Sequence, residues 1–317
     1  MPSIGGVIAS VTPLTERIAE FRIQAADGTA LPPFEPGAHI RVSLPGGGDR
    51  AYSLIRTEPL EEYLSEYLIA VQLEPEGEGG SHYMHGLKPG DRIDFAAPKN
   101  DFPLDLSAPA VLLAGGIGVT PLISMAARLI EAGLEFDFHY AARSAALMAY
   151  PEALAERFGP RFYTHFDDQP ENALDMDTVI ASVGNDRHLY ICGPRGLIDA
   201  AKARAEAAGI PAARIHIELF DNAAQQEGDT EFEIELASTG QVFTVAPDQS
   251  IIEALEAGGV DVLYDCQRGD CGICQCEVIS GTPDHRDVVL SEDERASGKV
   301  MQICVSRAKS PRLVLDL

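Results

Sequence analysis

The chain has 317 residues, too many for one ordinary core and enough for two or three domains of roughly 100–200 residues each. Apolar residues make up 45% and charged residues 23%, the balance of a water-soluble globular protein. The formal net charge of −25 excludes favourable binding to nucleic acid or an anionic membrane surface and favours a partner with a basic docking face.

Residues 1 to 105 are short apolar runs cut by Gly and Pro, such as RIAEFRIQA, HIRVSLP, YLIAVQLE and DRIDFAAP. Short strands between frequent turn signals predict a small β-barrel or sandwich, of which the antiparallel β-barrel is the reading taken. Its first residues, MPSIGGVIASVTPL, have neither the basic start nor the long apolar core of a signal peptide, so a cytoplasmic protein is expected. No apolar run approaches the roughly 20 residues of a membrane span.

Residues 106 to 220 alternate between strand and helix patterns: AVLLAGG, LISMAARLIEAG, FDFHYAAR, PEALAERF, HLYICG and LIDAAKARAEAAG. This alternation predicts an α/β domain on a parallel sheet. Residues 221 to 230, DNAAQQEGDT, are polar and small and read as a linker. Residues 231 to 317 open with the strand-like EFEIELA and QVFTVA and the helix-like SIIEALEAGG, pass through a cysteine-rich loop, and close on LVLDL. Over 229–317 there are 7 basic and 17 acidic residues, a charge of −10.

The cysteine loop carries the sharpest signal. Cys266-QRGD-Cys271-GI-Cys274 has the C-x4-C-x2-C spacing of a plant-type [2Fe–2S] site, with Cys304 as the distant fourth ligand. Gly269 and Gly272 let the backbone wrap closely and turn its amides toward the cluster sulfurs. A zinc site fits the four-residue gap less well, and disulfides fit a cytoplasmic setting poorly. Cys276, alternating with Cys274 on an expected strand, reads as a small buried side chain near the cluster.

The stretch YDCQRGDCGICQCEV, with MQICVSRA and LVLDL behind it, resembles the C-terminal ferredoxin domain of the phthalate dioxygenase reductase family, which includes the vanillate O-demethylase reductases. The resemblance extends over essentially the whole chain. It implies flavin, nicotinamide and β-grasp (α+β) ferredoxin domains in that order.

Arg50-Ala-Tyr52-Ser53, after the turn LPGGGD, is similar to the flavin motif of such barrels. Tyr52 offers a flat ring, Ser53 a hydrogen bond near flavin N5, and Arg50 a cationic fork for phosphate. Gly79-Gly80-Ser81 resembles the family's phosphate loop, although Gln72 and Glu78 stand where relatives carry basic residues. The family usually holds FMN rather than FAD.

Gly115-Gly116-Ile-Gly118-Val-Thr120-Pro121 follows the first α/β strand, where glycines let backbone approach a pyrophosphate. Thr120 is expected to cap the next helix and Pro121 to occupy its first position. Cys192-Gly193-Pro194 resembles the turn where nicotinamide meets flavin, with Cys192 and Ser53 beside the hydride path. Phe220 matches a family aromatic that covers the flavin, and Arg143-Ser144 falls where the adenosine ribose lies.

The resemblance implies an NADH-dependent reductase that feeds single electrons to a Rieske-type terminal oxygenase acting on an aromatic or other small organic substrate. A stand-alone NADH oxidase or flavin reductase, and a ferredoxin-type carrier with an impaired flavin site, are the rival readings.

Overall fold

Residues Ile18–Ala25 alternate so that Phe21 and Ile23 are buried while Arg22 faces out, the period-two pattern of a strand covered on one side. In the computed structural model, which describes residues 3–58, 64–75, 77, 79–220 and 228–317, this is β2 of an antiparallel sheet. Its other strands are β1 (Ser3–Pro13), β3 (Ala38–Ser43), β4 (Asp49–Ser53), β5 (Tyr67–Gln72), β6 (Arg92–Ala96) and the short β7 (Lys99–Asn100). Helix α1 (Gly80–Gly86) lies between β5 and β6. The strand order is β4-β3-β6-β1-β2-β5, with β7 on β3. The sheet curls around Phe21, Ile23, Ile40, Tyr67 and Phe95. Glu78 and residues 221–227 of the expected linker lie outside the described residues.

Ala110–Gly115 is buried at every position, as a strand covered on both faces must be. It forms β8, followed by α2 (Val119–Glu131), β9 (Phe136–Ala142), α3 (Pro151–Phe158), β10 (Phe162–Phe166), α4 (Met176–Val183), β11 (His188–Cys192), α5 (Arg195–Ala207) and β12 (Ile215–Glu218). These strands are parallel in the order β10-β9-β8-β11-β12. The chain therefore reverses its direction of travel across the sheet between β8 and β11, the point at which open α/β sheets bind ligands beyond their strand ends. Ile18, Ile55 and Ala70 of the antiparallel sheet share one core with Leu122, Ile123 and Tyr140. Met1–Glu218 accordingly forms one compact unit.

Leu219–Leu317 forms the second unit. It contains β13 (Phe232–Leu236), β14 (Val242–Val245), α6 (Ile251–Ala257), β15 (Gln275–Ser280), β16 (Pro283–Asp284), α7 (Glu292–Ser297), β17 (Val300–Gln302), β18 (Arg307–Ala308) and β19 (Arg312–Asp316). A mixed sheet runs β14-β13-β19-β15-β17. Ser250 with Glu253, and Ser291 with Glu294, make reciprocal capping boxes that start α6 and α7. Asp229 accepts two hydrogen bonds from Arg286 at 2.8 and 2.5 Å, and Arg307 donates to the carbonyls of Gln249, Thr230 and Ala246. These nearly buried charges are thus paired, which tolerates their burial and ties the chain's entry to the unit. No helix among the described residues is long and apolar enough to cross a membrane.

Candidate redox sites

Strand β4 brings Arg50, Tyr52 and Ser53 opposite Val42, Ile40 and His39 of β3. Arg50 reaches across to the start of α1, where a Cβ on Gly80 would sit 2.6 Å from Arg50 Cγ. A Cβ there would force the Arg50 side chain to shift, so glycine lets a cationic side chain and the first turn of α1 pack closely across a gap of thirty residues. Gly79 enters the helix with φ of 95°, a left-handed conformation suited to glycine. The Ser81 hydroxyl accepts a hydrogen bond from the Glu74 amide at 3.0 Å, closing the loop before the helix. Burial pushes the Tyr52 phenol up to about 12, against the opposing pull of Arg50, so its ring remains neutral.

The residues after Ser53 are fixed by a contact that sequence reasoning missed. Ser124 of α2, fully buried, donates to the Leu54 carbonyl at 3.0 Å and accepts from the Arg56 amide at 2.9 Å. One hydroxyl thus clamps the segment after β4 to the helix that follows the glycine-rich turn. A serine inside an apolar helical stretch was its only signal.

At the switch point the two glycine loops interlock. A Cβ on Gly118 would lie 2.2 Å from the Cys192 carbonyl oxygen, and one on Gly193 would lie 2.9 Å from Gly115 Cα. A Cβ on Gly115 would meet Pro194 Cδ at 2.7 Å. Gly116 has φ of 53° and would place a Cβ 3.9 Å from Gln72 Oε1, so the turn also borders β5. Cys192 is fully buried at the end of β11.

Thr120 does not cap α2. Gly118 holds the N-cap position, Thr120 is the second helical residue and Pro121 the third. A tight turn over Gly116–Gly118 precedes the helix, and the Thr120 hydroxyl instead donates back to the Ile117 carbonyl at 3.0 Å. Arg143, exposed, and Ser144 follow β9. Beside them the amides of Asp167 and Asp168 donate to the carbonyls of Ala142 and Arg143 at 3.1 and 3.2 Å.

In the second unit, the Cys266 thiol is in hydrogen-bond contact with those of Cys271 and Cys304, and Cys274 with Cys304. Those donors hold Cys266 well below the ordinary thiol range. The Arg268 amide donates to Cys266 Sγ at 3.3 Å. Gly269, with φ of 82°, is wedged so tightly that a Cβ would sit 2.6 Å from Val305 Cγ2 and 3.0 Å from Asp287 Cα. Among the described residues no three His, Cys, Asp or Glu side chains converge on a single-ion site. These contacts join the four thiols into one group, and four cysteines are the donor set a [2Fe–2S] group takes. Cys276 stands apart on β15, its thiol pushed up to about 12 by burial. Phe220, 37% exposed, falls at the start of this unit.

Residues 234–309 match the 2Fe-2S iron-sulfur cluster binding domain. A tetrachlorobenzoquinone reductase of Sphingobium chlorophenolicum is 40% identical over 99% of this chain and 98% of its own length. A vanillate O-demethylase oxidoreductase of Pseudomonas putida is 42% identical over 99% of this chain and 100% of its own. The solved phthalate dioxygenase reductase, described as a modular structure for electron transfer from pyridine nucleotides to [2Fe-2S], superposes with a TM-score of 0.73 at 35% identity, covering 99% of this chain and 98% of that one. The chain belongs to the phthalate dioxygenase reductase family. It is an oxidoreductase with a flavin- and nicotinamide-binding fold in its first unit and a [2Fe–2S] domain in its second.

Proposed function

We propose that this reductase takes electrons from NADH through FMN to a cluster on Cys266, Cys271, Cys274 and Cys304, and delivers them singly to a Rieske-type terminal oxygenase in the cytoplasm. The working segments are 1–105 for flavin, 106–220 for nicotinamide and 231–317 for the cluster. Bound flavin accepts hydride and releases single electrons, which a [2Fe–2S] group carries one at a time.

The observation that carries this reading is the interlock of the Gly115–Gly118 and Cys192–Pro194 loops beside a flavin strand clamped by Ser124. Arg50 and the α1 turn bind the flavin phosphate, and Tyr52 lies against the ring. The likeness to phthalate dioxygenase reductase favours FMN over FAD. The glycine loops admit the pyrophosphate, and Cys192 and Gly193 line the nicotinamide end. Asp167 and Asp168 set two exposed carboxylates beside Arg143-Ser144. Such carboxylates suit a ribose hydroxyl and repel a 2′-phosphate, which favours NADH over NADPH. The charge of −10 over residues 229–317 fits a basic oxygenase face.

The test uses two acceptors. Cys304→Ser, purified with flavin but without cluster, should still reduce ferricyanide with NADH and should lose reduction of the oxygenase. Undiminished oxygenase reduction would sink the proposal. A second reading, direct quinone reduction by the flavin, is favoured by the tetrachlorobenzoquinone reductase relative and would show as quinone turnover unaffected by the same variant.

A further inference from the structure

Gln302, the last residue of β17, is fully buried (0% exposed), unusual for a side chain with two donors and an acceptor to satisfy. It stands directly opposite Gln275 on β15. Its Nε2 donates to Gln275 Oε1 at 3.0 Å. On its other side Oε1 accepts from Cys274 Sγ at 3.4 Å. The amide therefore sits against a cluster sulfur, two residues before Cys304.

That arrangement suits a thiol, which can donate. A ligand thiolate has no proton and only accepts. A carboxamide oxygen held 3.4 Å away would then set two acceptors face to face without water. The oxygen and nitrogen of a carboxamide occupy nearly equivalent positions and exchange by a half-turn of the last torsion. After that half-turn Nε2 faces the Cys274 sulfur and Oε1 faces Gln275. The Gln275 side chain is exposed and can turn its own amide to donate, so Oε1 and Nε2 of Gln302 each regain a partner.

We propose that Gln302 sets the cluster's reduction potential by donating an N–H hydrogen bond to the Cys274 thiolate. The proposal rests on the reading of Cys274 as a cluster ligand. Hydrogen bonds to the sulfurs are one determinant of such potentials. An added electron raises the charge on the sulfurs, so a donor stabilises the reduced state more than the oxidised one, and burial strengthens the effect. No covalent bond forms or breaks; one electron enters a site whose acceptor is better solvated by the protein. The β15–β17 pairing holds the glutamine in place, and the Arg268 amide makes the corresponding contact to Cys266 from the backbone.

The experiment is a redox titration of the full-length holoprotein, followed by electron paramagnetic resonance of the reduced cluster. Gln302→Leu keeps roughly the volume and removes the donor. It should shift the reduction equilibrium about tenfold toward the oxidised form, about 59 mV for one electron, with the flavin midpoint unchanged. Gln302→Glu should make the midpoint fall with rising pH, because its carboxyl donates when protonated and repels the thiolate when ionised. A Gln302→Leu protein with full cluster absorbance and the wild-type midpoint would overturn the proposal. If that variant cannot hold a cluster, wild-type protein carrying 15N in its glutamine side-chain amides decides by pulsed resonance. Coupling of such a nitrogen to the reduced cluster is expected, and its absence would overturn the proposal. Cys274→Ser separates the two claims: an unaltered cluster there would overturn the ligand assignment itself.

Discussion

Replacing Gly118 with alanine tests how the two glycine loops work together. Gly118 has φ of −61°, an ordinary helical value, so the substitution imposes no backbone penalty and acts only through contact. The added methyl carbon would lie 2.2 Å from the Cys192 carbonyl oxygen, 2.4 Å from its carbon and 2.6 Å from the Gly193 nitrogen. All three are backbone atoms and cannot swing aside, so the Cys192–Pro194 turn must retreat by about 1 Å to restore ordinary contact. Overpacking of this kind costs about 1–3 kcal/mol of stability. A 1 Å misplacement of reacting groups can cost about 100-fold in rate. The assay is anaerobic stopped-flow reduction of the flavin by NADH. Gly118→Ala should bleach the flavin roughly 100-fold more slowly than wild type, with the [2Fe–2S] absorbance of the second unit intact. Gly196→Ala is the control, because a Cβ there meets nothing within 4 Å, and it should reduce at the wild-type rate. Wild-type flavin reduction in Gly118→Ala would refute the reasoning.

Ser124→Ala leaves the buried Arg56 amide and Leu54 carbonyl without their shared hydroxyl and should destabilise the first unit by about 1–3 kcal/mol, read as an earlier thermal release of flavin fluorescence. The His139 imidazole, packed against Tyr163 and His165 beside Asp137, is lowered to about 4, chiefly by burial. The folded chain therefore binds that proton less readily than the unfolded chain does. The stability this contributes is present above the ordinary value of 6.5 and is lost as pH falls from there toward 4. Melting temperature should drop across that window, and His139→Gln should flatten the drop; an unchanged pH profile would contradict the assignment. Electron transfer to the oxygenase should slow as salt rises, because the acidic second unit steers the encounter. Rates indifferent to ionic strength would count against a basic partner face.

The [2Fe–2S] domain was legible because its signal is local: the spacing of Cys266, Cys271 and Cys274 lies in one loop, and Gly269 and Gly272 mark where that loop turns. The strand-helix alternation after residue 106 likewise gave the parallel sheet, since each element carries its own periodicity. The details that tertiary contacts decide were not legible. Thr120 and Pro121 looked like the cap and first residue of a helix, yet the tight turn at Gly116–Gly118 moved the start upstream. Gly79-Gly80-Ser81 read as a loop but opens α1, a helix of seven residues with too little sequence to show a period. Ser124 and Gln302 each sit in apolar stretches, and their partners are separated from them by dozens of positions, so no local pattern announces them.

The central claim is that electrons pass from NADH through flavin to the cluster within this one chain. Its most direct test is an absorbance spectrum recorded during anaerobic NADH titration of the purified protein. The account expects flavin bands and the broad envelope of a [2Fe–2S] centre, both bleaching as NADH is added. A cluster spectrum without flavin, or a flavin-cluster spectrum that NADH leaves unchanged, would contradict it.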